Sequence, residues 1–170
     1  SRASISSPPT PSASATGNTY EQLAAAAARL QAERDGATDV TFPASLTDST
    51  TPAKQFAMEQ ARQLFVLRRD AHRNEMAQIE ERIRQTQQEI NSLQAQRTAA
   101  QKQVRLVQPE LAGLRSLRER KLVTVNRLNQ IERTAVELQG SVASFDAQVA
   151  QARARIAELR QSALQLTQNF

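Results

Sequence analysis

Cysteine and tryptophan are absent from the 170 residues, which hold only four glycines, one tyrosine and one histidine. Without cysteine there is no disulfide and no thiolate metal site, and the absence is neutral about compartment. Aromatics make up 4% and hydrophobic residues 39%, too little for an ordinary α/β core or an all-β sandwich. No stretch approaches the roughly 18 apolar residues of a membrane span, and the N-terminus lacks the apolar core of a signal peptide. A membrane anchor, if the protein uses one, is therefore expected outside this chain. With no GxGxxG, no GxxxxGK[ST] and His72 alone among imidazoles, there is little from which to build a nucleophile, a base or a phosphate cradle. No catalysis, cofactor or metal is expected.

What is present is Ala, Gln, Arg, Glu and Leu, a composition of long helices. Twenty-two Lys and Arg stand against 17 Asp and Glu, a net charge of +5. Residues 1–18, rich in Ser, Pro, Ala and Thr, bury too little apolar surface to offset their ordering entropy and read as a flexible lead-in. A first helix is expected over 19–35. Thr19 and Gln22 have capping-box spacing, Tyr20, Leu23, Ala27 and Leu30 form the apolar seam, and Asp35-Gly36 supplies the stop. Residues 36–51 form a connector in which Phe42-Pro43 and Leu46 clip against neighbouring helices. Thr51-Pro52 then reads as an N-cap followed by proline at the first helical position.

From Pro52 the pattern is heptad. On the first arm Phe65, Arg69, His72, Met76, Ile79, Ile83, Thr86 and Ile90 recur at steps of 4 or 3, and the series continues through Leu93, Arg97, Ala100, Val104, Val107, Leu111 and Leu114. On the second arm the set runs from Leu128, Ile131, Ala135, Leu138, Val142 and Phe145 through Val149, Ala152, Ile156, Leu159, Ala163 and Leu166. Such narrow seams belong to coiled coils. Extrapolated across the gap, the next core positions would be Arg118, Lys121 and Val125, two adjacent charges that would be costly in a paired rod. The β-branched cluster around Val123-Thr124-Val125 also crowds a helix, and Pro109 and Gly113 weaken what precedes it. The chain is therefore expected to turn at 118–125, with an ascending arm over 52–117 and a descending arm over 126–170. From Met76 to the turn is about 43 residues, or roughly 65 Å. The fold class is all-α: a long antiparallel coiled-coil helical hairpin with an additional N-terminal helix packed at its base.

A coiled-coil hairpin has no interior in which to do chemistry, so function falls to its tip, flanks and ends. The expected tip is basic, with seven Lys or Arg and three Glu from Arg105 to Arg133. Such a cluster can meet phosphates, acidic lipid or an acidic protein rim. No aromatic residue lies between Phe65 and Phe145, so the stacking platforms of nucleic-acid binding are missing and no nucleic acid is expected. Leu117, Leu122 and Val123 stand where solvent favours polar groups. They either dock a partner, ringed by cations, or close the hairpin end. His72 occupies a seam position without a second ligand in spacing and reads as packing. Arg97 in the seam reads as a register-setting residue.

The order RLQAERDG (29–36), FPASL (42–46), LFVLRR (64–69), a long arm, LRSLRERKLVT (114–124) and NRLNQIERTAVELQG (126–140) resembles the HlyD-type periplasmic adaptors, or membrane fusion proteins, of bacterial type I secretion. The resemblance spans residues 20–170. It implies a hairpin set between halves of a lipoyl-like domain, with a β-barrel and an inner-membrane anchor elsewhere, so that this chain would be the helical piece. It implies a periplasmic location, an inner-membrane ABC transporter and a TolC-type outer-membrane channel as partners, and a homo-oligomer of six. The family's tip pattern, Arg-x3-Leu-x6-Ser/Thr, places Leu117 and Thr124 at its Leu and Thr positions. Its Arg position holds Gly113, and Arg115 and Arg118 are the neighbours that could replace the charge. The tip-docking set implied is thus Leu117, Thr124, Leu122, Val123, Arg115 and Arg118. A different reading is a non-enzymatic scaffold that dimerises as a parallel rod, with Arg118 and Lys121 inside its seam. A third, a basic helical module for nucleic acid or anionic membrane, demands binding that collapses with salt. Cargo and the identity of the channel leave no mark in the sequence.

Overall fold

A computed structural model describes residues 13–170, with side-chain surroundings from Thr19 onward. Four helices follow in order, α1 (Ala13–Asp35), α2 (Ala44–Thr47), α3 (Pro52–Glu119) and α4 (Val125–Gln168), with no strand among the described residues. Residues 1–12 of the expected lead-in lie outside the described residues. Residues 13–18 do not continue it: α1 begins at Ala13, so Thr19 sits within the helix and not at its N-cap. Helix-favouring alanines carry α1 through Gly17, whose cost of about 1 kcal/mol does not stop it.

The described residues divide into two compact units. One comprises the chain up to Glu75 together with Gln168–Phe170, and the other Met76–Thr167. In the first, α1 lies against the N-terminal part of α3, but not with the expected seam. Tyr20, Leu23, Ala27 and Leu30 are all exposed. The buried face is built from small residues instead: Ala25 meets Leu46, Ala57, Met58 and Ala61, while Ala32 meets Val40 and Phe65. Alanines of both helices supply this buried contact, and the larger leucines of α1 face outward. The connector does clip as expected, with Leu46 fully buried and Phe42 packed against both clusters.

Capping signals closed the same region. At the end of α1, Gly36 adopts φ +64. Ala37 N–H donates to the Ala32 carbonyl at 3.0 Å and Gly36 N–H to that of Glu33 at 3.4 Å, the bonding of a Schellman motif. At the start of α3 the Thr51 hydroxyl oxygen accepts Lys54 N–H at 3.3 Å. Glu33 is buried, and its Oε1 accepts hydrogen bonds from both Arg29 and Arg68, each at 2.8 Å, tying α1 to α3. Arg69 spans to the connector, donating from Nη1 to the Thr38 carbonyl at 3.0 Å. His72 packs by stacking on Phe170, with ring centroids 4.3 Å apart.

In the second unit the two arms run antiparallel. The pairs Glu89–Arg155, Arg97–Asp146 and Arg115–Glu132 show this directly, since α4 partners fall in number as α3 partners rise, and Glu110–Arg127 ties the arms near the turn. Every seam position expected on either arm is buried or half-buried. The tightest core joins Ile90 and Leu93 to Val149, Ala152 and Ile156, flanked by Ile83 and Phe145. Full burial of Ile90 contributes about 1.5–3 kcal/mol. Arg97 keeps its seam position by reaching out to Asp146 on the other arm. Elsewhere on the exposed face of α3, the hydrogen bond from Arg84 holds the Glu81 carboxyl below the usual carboxylate range. Helix α3 passes through Pro109 without ending.

Candidate functional site: the hairpin turn

Five residues, 120–124, separate α3 from α4. The end of α3 repeats the Schellman pattern found after α1. Leu122 N–H donates to the Leu117 carbonyl and Lys121 N–H to the Arg118 carbonyl, both at 2.9 Å. Here the left-handed position that Gly36 fills in α1 is taken by Lys121, at φ 59. A non-glycine residue is uncommon there, because its Cβ crowds the following carbonyl. On the far side, the Thr124 hydroxyl oxygen accepts Arg127 N–H at 3.2 Å, making Thr124 the N-cap of α4. The end of α3 is thus closed by backbone bonding and the start of α4 by the Thr124 side chain.

The six residues read from the sequence as a docking set come together in and beside this turn. Leu117 is half-buried and supplies the carbonyl that ends α3. Arg118 Nη1 donates to the Val123 carbonyl at 3.2 Å, bracing the turn from one side. Val123 is half-buried beneath it. Arg115 reaches across to Glu132 on α4, with Nη2 and Oε1 3.4 Å apart. Leu122 is different: its side chain is 62% exposed. The turn therefore holds up one large apolar side chain on a backbone that is capped on both sides.

Charge around the turn is distributed unevenly. Arg115 and Arg127 are paired with Glu132 and Glu110 on the opposite arms. Arg120 and Lys121 are exposed, and neither takes part in a side-chain hydrogen bond or an ion pair among the described residues. Neither belongs to the docking set that the sequence implies. Nothing in the residue order marks Lys121 as left-handed, so their placement beside Leu122 was not readable from the sequence. Gly113, at the family's Arg position, is exposed on α3, and a Cβ there would meet nothing within 4 Å. Finding Arg118 and Lys121 at a turn between antiparallel arms also overturns the parallel-rod reading, which required both inside a continuous seam.

Two long helices paired antiparallel through heptad seams, closed by a capped turn and joined by a short first helix, define the chain as a long helical hairpin. It belongs to the family described as AprE, long alpha-helical hairpin, which matches residues 12–170. It is 34% identical over 155 residues to the type I secretion system membrane fusion protein PrsE of Rhizobium meliloti strain 1021, a match covering 89% of this chain and 35% of that protein. The chain thus spans about a third of the length of that relative. Its fold is similar to the crystal structure of the soluble domain of LipC, a membrane fusion protein of a type I secretion system. There the TM-score is 0.80 at 22% identity, covering 95% of this chain and 79% of that one. Among the described residues no helix is long and apolar enough to cross a membrane.

Proposed function

We propose that this chain is the hairpin of a periplasmic adaptor in a type I secretion system. In this reading it bridges an inner-membrane ABC transporter to a TolC-type outer-membrane channel and catalyses nothing itself. The observation that carries the reading is Leu122, a large apolar side chain exposed at the turn of a family hairpin and held on a doubly capped backbone. Burial of such a side chain in a partner's groove contributes about 1.5–3 kcal/mol, and a backbone already fixed loses little entropy on docking. The Thr124 hydroxyl, whose oxygen caps α4, retains its proton to donate to a carbonyl of the channel. The cations at the contact are Arg120 and Lys121, while Arg115 and Arg118 hold the turn in shape. Several copies stand side by side around the export path, and transport energy comes from the transporter.

The absence of native cysteine makes the test direct. A single cysteine is placed by Leu122→Cys in the full-length protein within its host envelope, with Gln94→Cys on the exposed mid-arm as control. A cross-link from 122 to an outer-membrane channel, absent from 94, is the expected result. Capture at 122 of only the equivalent residue in another copy would overturn docking through the turn.

A further inference from the structure

Seven of the twelve large apolar side chains exposed among the described residues lie between Tyr20 and Leu67. They belong to α1 and the beginning of α3, and all but Val66 form two surfaces. The first is a groove of about 520 Å³ between α1 and α3. Its floor is the buried alanine contact of Ala25, Ala57 and Ala61, and its α3 wall is Phe56, Leu64 and Leu67, exposed by 59%, 44% and 67%. The second is a ridge on α1 formed by Tyr20, Leu23, Ala27 and Leu30 at steps of 3, 4 and 3. Leu23 is 66% exposed and Leu30 49%. At 100° per residue the ridge points away from the face that packs on α3 through Ala25, Ala28 and Ala32, so only something outside this chain's own α1–α3 contact can cover it.

The chemistry of both surfaces narrows the occupant. No charged residue occurs from Gln22 to Ala28. The polar residues lining the groove are Gln22, Gln60, Gln63 and Arg29, and the Arg29 guanidinium is held by Glu33. An acidic partner or an anionic lipid surface would find no free cation there. A small molecule would find three glutamines and one arginine already paired, with no free charge to orient it. What fits is an uncharged helical ridge of bulky side chains, and this chain carries one. Among the described residues this ridge and this groove occur once each and on different faces, which is the condition for a head-to-tail contact that repeats from copy to copy and can close into a ring.

We propose that the α1 ridge of one copy seats in the α1–α3 groove of the next. This inference rests on the reading that copies stand side by side, and it assigns the surfaces that join them. Leu23 and Leu30 enter as knobs between Phe56, Leu64 and Leu67. The ridge that looks misplaced on an isolated chain is then the buried seam of the assembly.

The test uses two populations of the full-length protein, produced together in the host envelope with different tags. One carries Leu30→Cys and the other Leu64→Cys, both at exposed positions, with Gln94→Cys as control. Mild oxidation is expected to give products carrying both tags at a yield roughly ten-fold over the control, since neighbouring copies hold the thiols at high effective concentration. A single population carrying both substitutions should give a ladder of higher oligomers. If Leu30→Cys joins only Leu30→Cys, the contact is two-fold and the proposal fails. If neither joins the other while the 122 cross-link to the channel persists, another part of the protein covers these surfaces. That outcome removes the inference and leaves the adaptor reading standing. Loss of both cross-links removes the adaptor reading with it.

Discussion

Gly36 and Lys121 perform the same backbone task at two helix ends, with φ angles of 64 and 59. Glycine does so without steric penalty, whereas a side chain in the left-handed region costs about 1 kcal/mol or slightly more. Lys121→Gly is therefore expected to stabilise the chain by about 1 kcal/mol, raising the thermal midpoint by about 2–4 °C. Gly36→Ala should lower it by a similar amount. Circular dichroism melting of the two variants checks both signs. A fall with Lys121→Gly would mean that the lysine side chain supports the turn in some other way. Because it removes an exposed cation beside Leu122, the same substitution is also expected to weaken channel capture. Of this residue-scale detail, the sequence showed Gly36 as a stop because glycine is the habitual left-handed residue. Lys121 was invisible, since no residue type announces an unusual φ that its neighbours impose.

At the scale of elements, the long arms were legible and the short helix was not. The heptad seam repeats many times, so an error at any one position is outvoted. Charged Arg97 did not disturb the register, because it leaves the core by pairing with Asp146. Helix α1 offers only three turns of apolar residues, and size alone points to the largest of these as its core. The actual contact is alanine on alanine, with Ala25 opposite Ala57 and Ala61. Side-chain size alone does not tell which face goes in. Pro109 poses a separate question of element stability. It lies on the exposed face of α3, within the helix, and leaves the carbonyl of Arg105 without the amide partner it would otherwise have. Because solvent can reach that carbonyl, the penalty is below the roughly 3 kcal/mol of an interior proline. Pro109→Ala is expected to raise stability by about 1–3 kcal/mol, read as a higher urea midpoint with unchanged slope. An unchanged midpoint would show that the helix is already relaxed around the proline.

At the scale of the molecule, the exposed apolar side chains of the described residues include two sets in different units: Leu122 at the turn, and the ridge and groove of α1 and α3. If these serve different partners, their losses must be separable. Leu122→Asp removes an apolar contact from a side chain that is mostly in solvent, so stability should change by no more than about 0.5 kcal/mol. Helicity and melting should match the parent. Co-purification with the outer-membrane channel should be lost, because a carboxylate driven into an apolar groove carries a desolvation penalty without a partner. The 30–64 cross-link between copies should survive undiminished. The reverse variant, Leu23→Asp with Leu64→Asp, should abolish association between copies and leave each turn competent to be captured when the channel is supplied in excess. Loss of copy-to-copy contact in the Leu122→Asp variant would be the damaging result. It would mean that assembly depends on the channel and that the α1 surfaces do not hold copies together unaided. Survival of both effects in their predicted places would divide the work of the chain physically, with heptad seams giving the arms their stiffness, the capped turn presenting one leucine to the channel, and the alanine-packed helix turning its own leucines outward to meet the next copy.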